Sequence, residues 1–212
     1  LLARQRLQVL RHLMEDESGV VVTTLDGLMD HLLPLSQIQS QIMVIRMGQE
    51  LNLDEWKERL SQMGYERTGQ VDGMGQFSIR GGILDVFPLT EELPVRIELW
   101  DTEVDSIRTF DLESQRSVEQ LDEIALYPAV EIVLTKEQRQ KGVKQLREEA
   151  AVSVEKLKKQ MLTEEAFRLA GIVQELAEGV EEGWKVNGLD GYLSYFSDET
   201  VSFLDYFQEK SG

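Results

Sequence analysis

The chain has 212 residues, with 39 Asp and Glu against 22 Lys and Arg, a formal net charge of −17. This length can bury a core in one or two domains, whereas the charge repels phosphate and argues against a direct nucleic-acid partner. The lack of cysteine excludes disulfides and thiolate metal sites. No apolar run approaches the ~20 residues of a membrane span. We expect a soluble, cytoplasmic chain without a membrane partner and, since it begins with Leu1, a piece of a longer protein.

The first 45 residues are typical of part of an α/β layer structure. Apolar residues at helical spacing predict a helix over residues 3–15. The β-branched run at residues 20–24 predicts a strand buried on both faces. Asp26 is placed to cap a short helix that continues to Leu33. A helix, a buried strand and a second helix in this order indicate a segment of a parallel-sheet fold.

Residues 46–129 are predicted to form an antiparallel sheet with one helix packed against it. Asn52 to Glu55 matches a capping box, and the spacing of the apolar residues that follow predicts a helix that buries Trp56. Gly64 is placed to end this helix. The rest of the region consists of strand-like runs separated by turn dipeptides, which favours a meander.

Two strands in this region, at residues 76–80 and 95–100, alternate apolar and polar side chains. A period of two gives each strand one buried and one exposed face. The residues expected on the exposed face are Arg80, Arg96, Glu98 and Trp100.

Trp100 is out of place among polar residues, and tryptophan beside arginine is typical of protein-binding hot spots. Across residues 71–130 the chain has thirteen acidic residues, four arginines and no lysine. The guanidinium fork suits bidentate pairing with carboxylates of a partner. Two alternatives stay open: a helix of the same chain covers Trp100, or the arginines only neutralise nearby acids such as Glu98 and Asp101.

The last part of the chain, residues 130–212, is predicted to form a helical hairpin and a return segment. Thr135 begins a second capping box before a long charged helix. Thr163 is placed to cap the next helix, with Phe167 on its apolar side. The glycine-rich and then aromatic stretch that starts at Trp184 is expected to pack on a sheet.

Motifs that carry chemistry are missing from the sequence. There is no phosphate-cradling Gly-x-x-x-x-Gly-Lys-Ser/Thr loop and no Gly-x-Ser-x-Gly nucleophile turn. His12 and His31 lie far apart in different predicted helices, which gives no metal-ligand spacing. We therefore expect no catalytic residue, no cofactor and no metal in this chain.

Four segments in fixed order resemble the N-terminal UvrB-like module of the bacterial transcription-repair coupling factors, the Mfd family. The repair protein UvrB shares a looser form of the pattern. The segments are residues 77–88 (Phe-Ser-Ile-Arg-Gly-Gly-Ile-Leu-Asp-Val-Phe-Pro), 94–100 (Pro-Val-Arg-Ile-Glu-Leu-Trp), 101–111 (Asp-Thr-Glu-Val-Asp-Ser-Ile-Arg-Thr-Phe-Asp) and 114–116 (Ser-Gln-Arg).

The resemblance covers nearly the whole chain and implies its domain organisation. Residues 1–45 resemble part of a helicase-like (RecA-like) subdomain, and residues 46–129 resemble a UvrA-binding domain with an antiparallel sheet. Residues 130–212 correspond to a helical hairpin and a return segment to the helicase-like subdomain. The implied fold class is mixed α/β.

The resemblance also implies a function, the recruitment of UvrA to lesions where RNA polymerase has stalled. The UvrA-contacting positions of the family fall on Arg80, Arg96 and Trp100, where the family often has Phe in place of the tryptophan. Another domain of the full-length chain is implied as a partner that masks this face. The ATP-dependent DNA translocase activity of the family resides elsewhere, so this piece is expected to be non-catalytic. A UvrB-type DNA- and nucleotide-binding helicase fragment and an inert structural spacer are the alternatives.

Overall fold

The computed structural model of the chain describes residues 2–15, 18–183, 186 and 188–208. The chain forms two compact units. The first comprises Leu1–Val21 and Ser36–Val133, and the second comprises Val22–Leu35 and Leu134–Gly212. The predicted domain boundaries after residues 45 and 129 stay predictions. The predicted mixed α/β class with antiparallel sheets is confirmed.

Helices flank a strand-rich middle of the chain. In chain order the elements of the described residues are α1 (Leu2–Met14), α2 (Leu25–Met29), α3 (Leu35–Gln39), β1 (Met43–Arg46), α4 (Leu53–Gln62), β2 (Glu66–Arg67), β3 (Gln76–Arg80), β4 (Ile83–Val86), β5 (Val95–Trp100), β6 (Glu103–Phe110), β7 (Ser117–Gln120), β8 (Glu123–Leu126), α5 (Lys136–Lys159), α6 (Thr163–Glu182), a 3-10 turn (Leu189–Tyr192), α7 (Leu193–Phe196) and α8 (Asp205–Gln208).

The first unit is built on a six-stranded sheet in the order β2-β3-β4-β5-β6-β7. β3 to β7 pair antiparallel to their neighbours, whereas β2 runs parallel to β3. β1 and β8 form a separate antiparallel pair. The predicted meander is therefore confirmed, with one short parallel strand added at its edge.

One face of the sheet and α4 enclose the core of the first unit. Asn52 caps α4, because its side-chain oxygen accepts hydrogen bonds from the backbone N–H groups of Asp54 and Glu55. The helix buries Trp56 and Leu60, as the apolar spacing predicted. These side chains pack with the inward-facing apolar residues of β3 to β6, so that face of the sheet is closed to solvent.

An irregularity in β6 keeps the core side of the sheet apolar. The register between β5 and β6 shifts after Glu98, so that Ser106 lies opposite Glu98 while Val104 lies opposite Leu99. Asp105 is the extra residue, and it is exposed. Because an extra residue resets the two-residue alternation, Val104 and Ile107 both reach the core.

The predicted buried strand at residues 20–24 and the cap at Asp26 are wrong. Val20 and Val22 are exposed, and residues 18–24 are in neither helix nor strand. A strand buried on both faces needs neighbouring strands, and none of the described strands pairs with this run. Thr24, rather than Asp26, caps α2, which ends at Met29 and does not continue to Leu33.

The second unit contains the predicted helical hairpin of α5 and α6. Thr135 and Gln138 form the capping box at the start of α5. Thr163 does not cap α6, because the cap position is Leu162 and makes no side-chain hydrogen bond. Phe167 is 84% exposed and is not on the packed side of the helix, contrary to the prediction.

The first part of the aromatic tail, at residues 192–196, packs on helices and not on the expected sheet. Leu193 and Phe196 are buried, and Phe196 contacts the hairpin core. A Cβ atom at Gly142 of α5 would lie only 2.1 Å from Cδ1 of Phe196, so glycine is required there for this close contact. Trp184, the start of the predicted tail, lies outside the described residues.

Helix α1 is held to the first unit by side-chain bonds. Arg11 Nη1 lies 2.6 Å from a carboxylate oxygen of Glu91 in the loop before β5. The hydroxyl of Tyr127 donates to Glu15 at 2.9 Å. Burial, with this hydrogen bond as the next cause, raises the pKa of Tyr127 to about 12.

The raised pKa predicts a loss of stability at alkaline pH. An unfolded tyrosine ionises at roughly pH 10, so between about pH 10 and 12 the unfolded state releases a proton that the folded state retains, and the free energy of unfolding falls as pH rises. The stability difference between the wild type and Tyr127→Phe should shrink across this interval in urea titrations. Parallel pH curves for the two proteins would contradict the assigned pKa.

Gly64 should be intolerant of substitution. Its φ is +86°, and a Cβ atom there would lie 2.6 Å from Cγ1 of Val130. We expect Gly64→Ala to lower the free energy of unfolding by about 1–3 kcal/mol. Gly69→Ala is the control, because no atom lies within 4 Å of its Cβ position, and it should change stability by less than ~0.5 kcal/mol. Equal urea midpoints for the two variants would refute the prediction.

Candidate protein-interaction face

The outward side of β3 to β6 carries a compact set of polar side chains. The strand register places Ser78, Asp85, Arg96 and Arg108 in one row across four strands. The next row contains Arg80 and Glu98, and Trp100 lies two residues beyond Glu98 on β5. We call this the polar face, defined by Arg80, Asp85, Arg96, Glu98, Trp100 and Arg108.

Asp85 lies at the centre of the polar face and binds two arginines. Arg96 donates to it in a bidentate manner, with Nε 2.7 Å from Oδ1 and Nη2 2.9 Å from Oδ2. Arg80 Nη2 lies 2.9 Å from the same Oδ2. The Asp85 side chain is only 1% exposed, so the two arginines take the place of water around the buried carboxylate.

Arg96 makes further contacts that hold its guanidinium group in place. Its Nη2 also donates to Oε1 of Gln115 at 2.9 Å. The guanidinium carbon lies 4.4 Å from the ring centroid of Phe110, within the range of a cation–π contact. The hydrogen bond to Asp85 is the main cause that raises the pKa of Arg96. Arg96 is therefore a fixed, permanently charged group.

Arg108 pairs with a different acid. Its Nη2 donates to Oε2 of Glu98, and the hydroxyl of Ser106 donates to the same oxygen at 3.1 Å. The alternative in which arginines neutralise nearby acids thus holds for Arg108 and Glu98. Arg80 and Arg96 are also paired within the chain, but with Asp85, which the sequence reasoning did not single out.

Trp100 ends β5 and is 81% exposed. No helix of the described chain covers it, so that alternative is wrong. The hairpin turn that follows places Asp101 at a φ of +58°, a conformation that aspartate tolerates better than most residues. Trp100 is therefore presented at a strand end by a fixed turn.

A glycine turn lies close against the strand that bears Trp100. Gly81 and Gly82 connect β3 to β4, and the backbone N–H of Leu99 donates to the Gly82 carbonyl at 2.8 Å. A Cβ atom at Gly82 would lie 3.0 Å from the Leu99 carbonyl oxygen. The glycine pair thus forms a tight hairpin turn between β3 and β4.

The geometry brings the three predicted site residues onto one face. From the strand spacings, roughly 4.8 Å between strands and 3.3 Å per residue, we place the Cα atoms of Arg80 and Trp100 about 12 Å apart. A cationic group and a large apolar ring at this separation fit within one standard protein interface. Asp85 was detectable only as an acid between the apolar residues Leu84 and Val86 of one strand.

The described residues hold no group of three or more His, Cys, Asp or Glu side chains arranged to bind a metal. Among the same residues, no helix combines the length and apolar character needed to cross a bilayer. What the polar face offers chemically is charge-assisted hydrogen bonding from arginine and apolar contact from tryptophan.

Comparison with known proteins identifies the domain that carries this face. Residues 43–131 match the model of the UvrB interaction domain family. The chain is 40% identical over 205 residues to the transcription-repair-coupling factor of Bacillus subtilis (strain 168). This alignment covers 97% of the chain and 17% of the relative. It is also 38% identical over 154 residues to the transcription-repair-coupling factor of Staphylococcus aureus (strain Mu50). That alignment covers 73% of the chain and 13% of the relative.

These matches place residues 43–131 in the UvrB interaction domain family. The resemblance to the Mfd family that the sequence indicated is confirmed by identity across most of the chain. The chain spans about a sixth of the length of the Bacillus relative.

The exposure of Trp100 predicts that its ring contributes little to folding. We expect Trp100→Ala to change the free energy of unfolding by less than ~0.5 kcal/mol. Trp56→Ala is the matched control, because its ring is buried in the core, and it should cost about 3–5 kcal/mol. Urea unfolding followed by circular dichroism measures both. A large loss of stability in Trp100→Ala would mean that the ring packs within its own chain.

Proposed function

We propose that the chain is a non-catalytic interaction module that recruits UvrA to lesions where RNA polymerase has stalled. The observation that carries the proposal is the exposed Trp100 on the same sheet face as Arg80 and Arg96, in the residues that match the UvrB interaction domain. Tryptophan and arginine dominate the binding energy of many protein interfaces. Arg80, Arg96 and Trp100 are the proposed UvrA-binding residues.

The charge of the chain supports a protein partner. A net charge of −17 repels the phosphates of DNA, which weighs against a UvrB-type fragment that binds nucleic acid or nucleotide directly. We assign no cofactor to this piece. For the full-length protein, whose relatives are named for transcription-repair coupling, we propose ATP-driven DNA translocation. We also propose that residues 1–45 and 130–212 contribute to a helicase-like subdomain and that another domain masks the polar face.

Calorimetric titration of the chain with purified UvrA tests the proposal. Trp100→Ala should weaken binding by about 2 kcal/mol, a roughly thirtyfold change, because it removes an apolar anchor. Arg80→Ala should weaken binding to a similar extent through lost charge-assisted bonds. Circular dichroism first confirms that both variants fold.

Two control variants share the chemistry but lie outside the polar face. Phe167→Ala removes another exposed aromatic ring, on the helical hairpin. Arg46→Ala removes an exposed arginine, which pairs with Glu123 on the separate two-stranded sheet. Both controls should bind UvrA like the wild type. If the wild type does not bind UvrA, the proposed function is refuted. If all variants bind UvrA equally well, the polar face is not the binding site.

A further inference from the structure

The geometry points to a division of roles within the polar face. We propose that Asp85 is a positioning residue that locks Arg96 as a fixed support and orients Arg80 as the arginine that contacts a carboxylate of the partner. The inference rests on the proposed function for the identity of the partner. The structural part, that Asp85 fixes the two guanidinium groups, stands on the contacts within this chain.

Asp85 is fully committed to the two arginines. Both of its oxygens accept hydrogen bonds, from Nε and Nη2 of Arg96 and from Nη2 of Arg80. At 1% exposure the carboxylate has no surface to offer a partner. A buried carboxylate in a sheet is costly unless paired, so its charge holds the two guanidinium groups against the strands.

Arg96 is mostly enclosed, with a side chain 18% exposed. Its Nε and Nη2 are occupied by Asp85 and Gln115, and one side of its guanidinium group faces the Phe110 ring. Phe110 is itself buried. Arg96 thus covers an aromatic side chain and has little surface left for contact with another molecule, so its part in UvrA binding is to support the site and not to contact the partner directly.

Arg80, unlike Arg96, is open to solvent and held by a single contact. Its side chain is 47% exposed, and its bond to Asp85 uses only Nη2. A guanidinium group has five N–H donors, and Arg80 uses one of them for Asp85, so the others are available to a partner. A side chain restrained at one end and open at the other loses less conformational entropy when it binds.

The charges of the cluster favour an acidic partner surface. Two arginines and one carboxylate leave one net positive charge in a chain of net charge −17. The negative charge of Asp85 is covered by its own arginines, so it does not repel an approaching carboxylate. A carboxylate on the partner therefore completes the cluster by pairing with Arg80.

The first test uses the chain alone and needs no partner. NMR of the arginine Nε–H groups should show Arg96 with slow hydrogen exchange and restricted guanidinium rotation in the wild type. Asp85→Asn should abolish both, while the backbone amide spectrum stays native. Glu98→Gln, which removes the partner of Arg108, is the matched control and should leave the Arg96 signal unchanged. Retention of the slow Arg96 signal in Asp85→Asn would overturn the inference.

A second variant covers the case in which Asp85→Asn does not fold. Gln115→Ala removes the amide oxygen that accepts from Arg96 Nη2 and leaves Asp85 in place. If Asp85 holds the guanidinium group, Arg96 should keep its slow exchange in this variant. Free rotation of Arg96 in a folded Gln115→Ala protein would show that Gln115, and not Asp85, provides the restraint.

Binding to UvrA then tests the division of roles through a double-mutant cycle. Asp85→Asn should weaken binding by about tenfold or more, and in an Arg80→Ala background it should add less than about twofold, because residues that act through one another are not additive. Fully additive losses would overturn the positioning role. If the wild type does not bind UvrA, the proposed function fails, while the NMR result still decides whether Asp85 fixes the arginines.

Discussion

The polar face depends on the burial of one carboxylate between two arginines. Asp85 lies within a central strand, and its desolvation is offset by three hydrogen bonds from charged donors. Such a group is strongly destabilising when unpaired, so the strand register that brings Arg80 and Arg96 to it is tightly specified. The same interaction holds a cationic group in a defined place on the surface of an acidic chain.

The core side of the sheet makes that register possible. Apolar side chains of β3 to β6 pack against α4, and a slip of one residue would exchange the two faces. The extra residue at Asp105 lets Val104 reach the core while the outward residues of β5 keep their alternation. A binding surface on strands held in this way is more precise than one on loops, which suits the display of Arg80 and Trp100.

The predictions from sequence are wrong where an apolar segment is buried only if another part of the chain packs against it. The β-branched run at residues 20–24 has the composition of a buried strand, yet it is exposed and unpaired among the described residues. Phe167 has the apolar character of a packed position but faces outward on α6. The first part of the aromatic tail packs on helices instead of a sheet. In each case the apolar character of the residues was clear from the sequence. Which element of the chain would cover them, if any, was not.

By itself the sequence determined the elements whose signals are local, because backbone geometry sets the two-residue period of a strand and the cap of a helix. This period assigned Arg80, Arg96 and Trp100 to one outward face, and the ordered motifs of β3 to β6 assigned the family. Only the tertiary structure decided that Asp85 binds both arginines and that Trp100 is uncovered. Those outcomes depend on which residues of different strands lie opposite each other, and such pairing leaves no periodic trace along the chain.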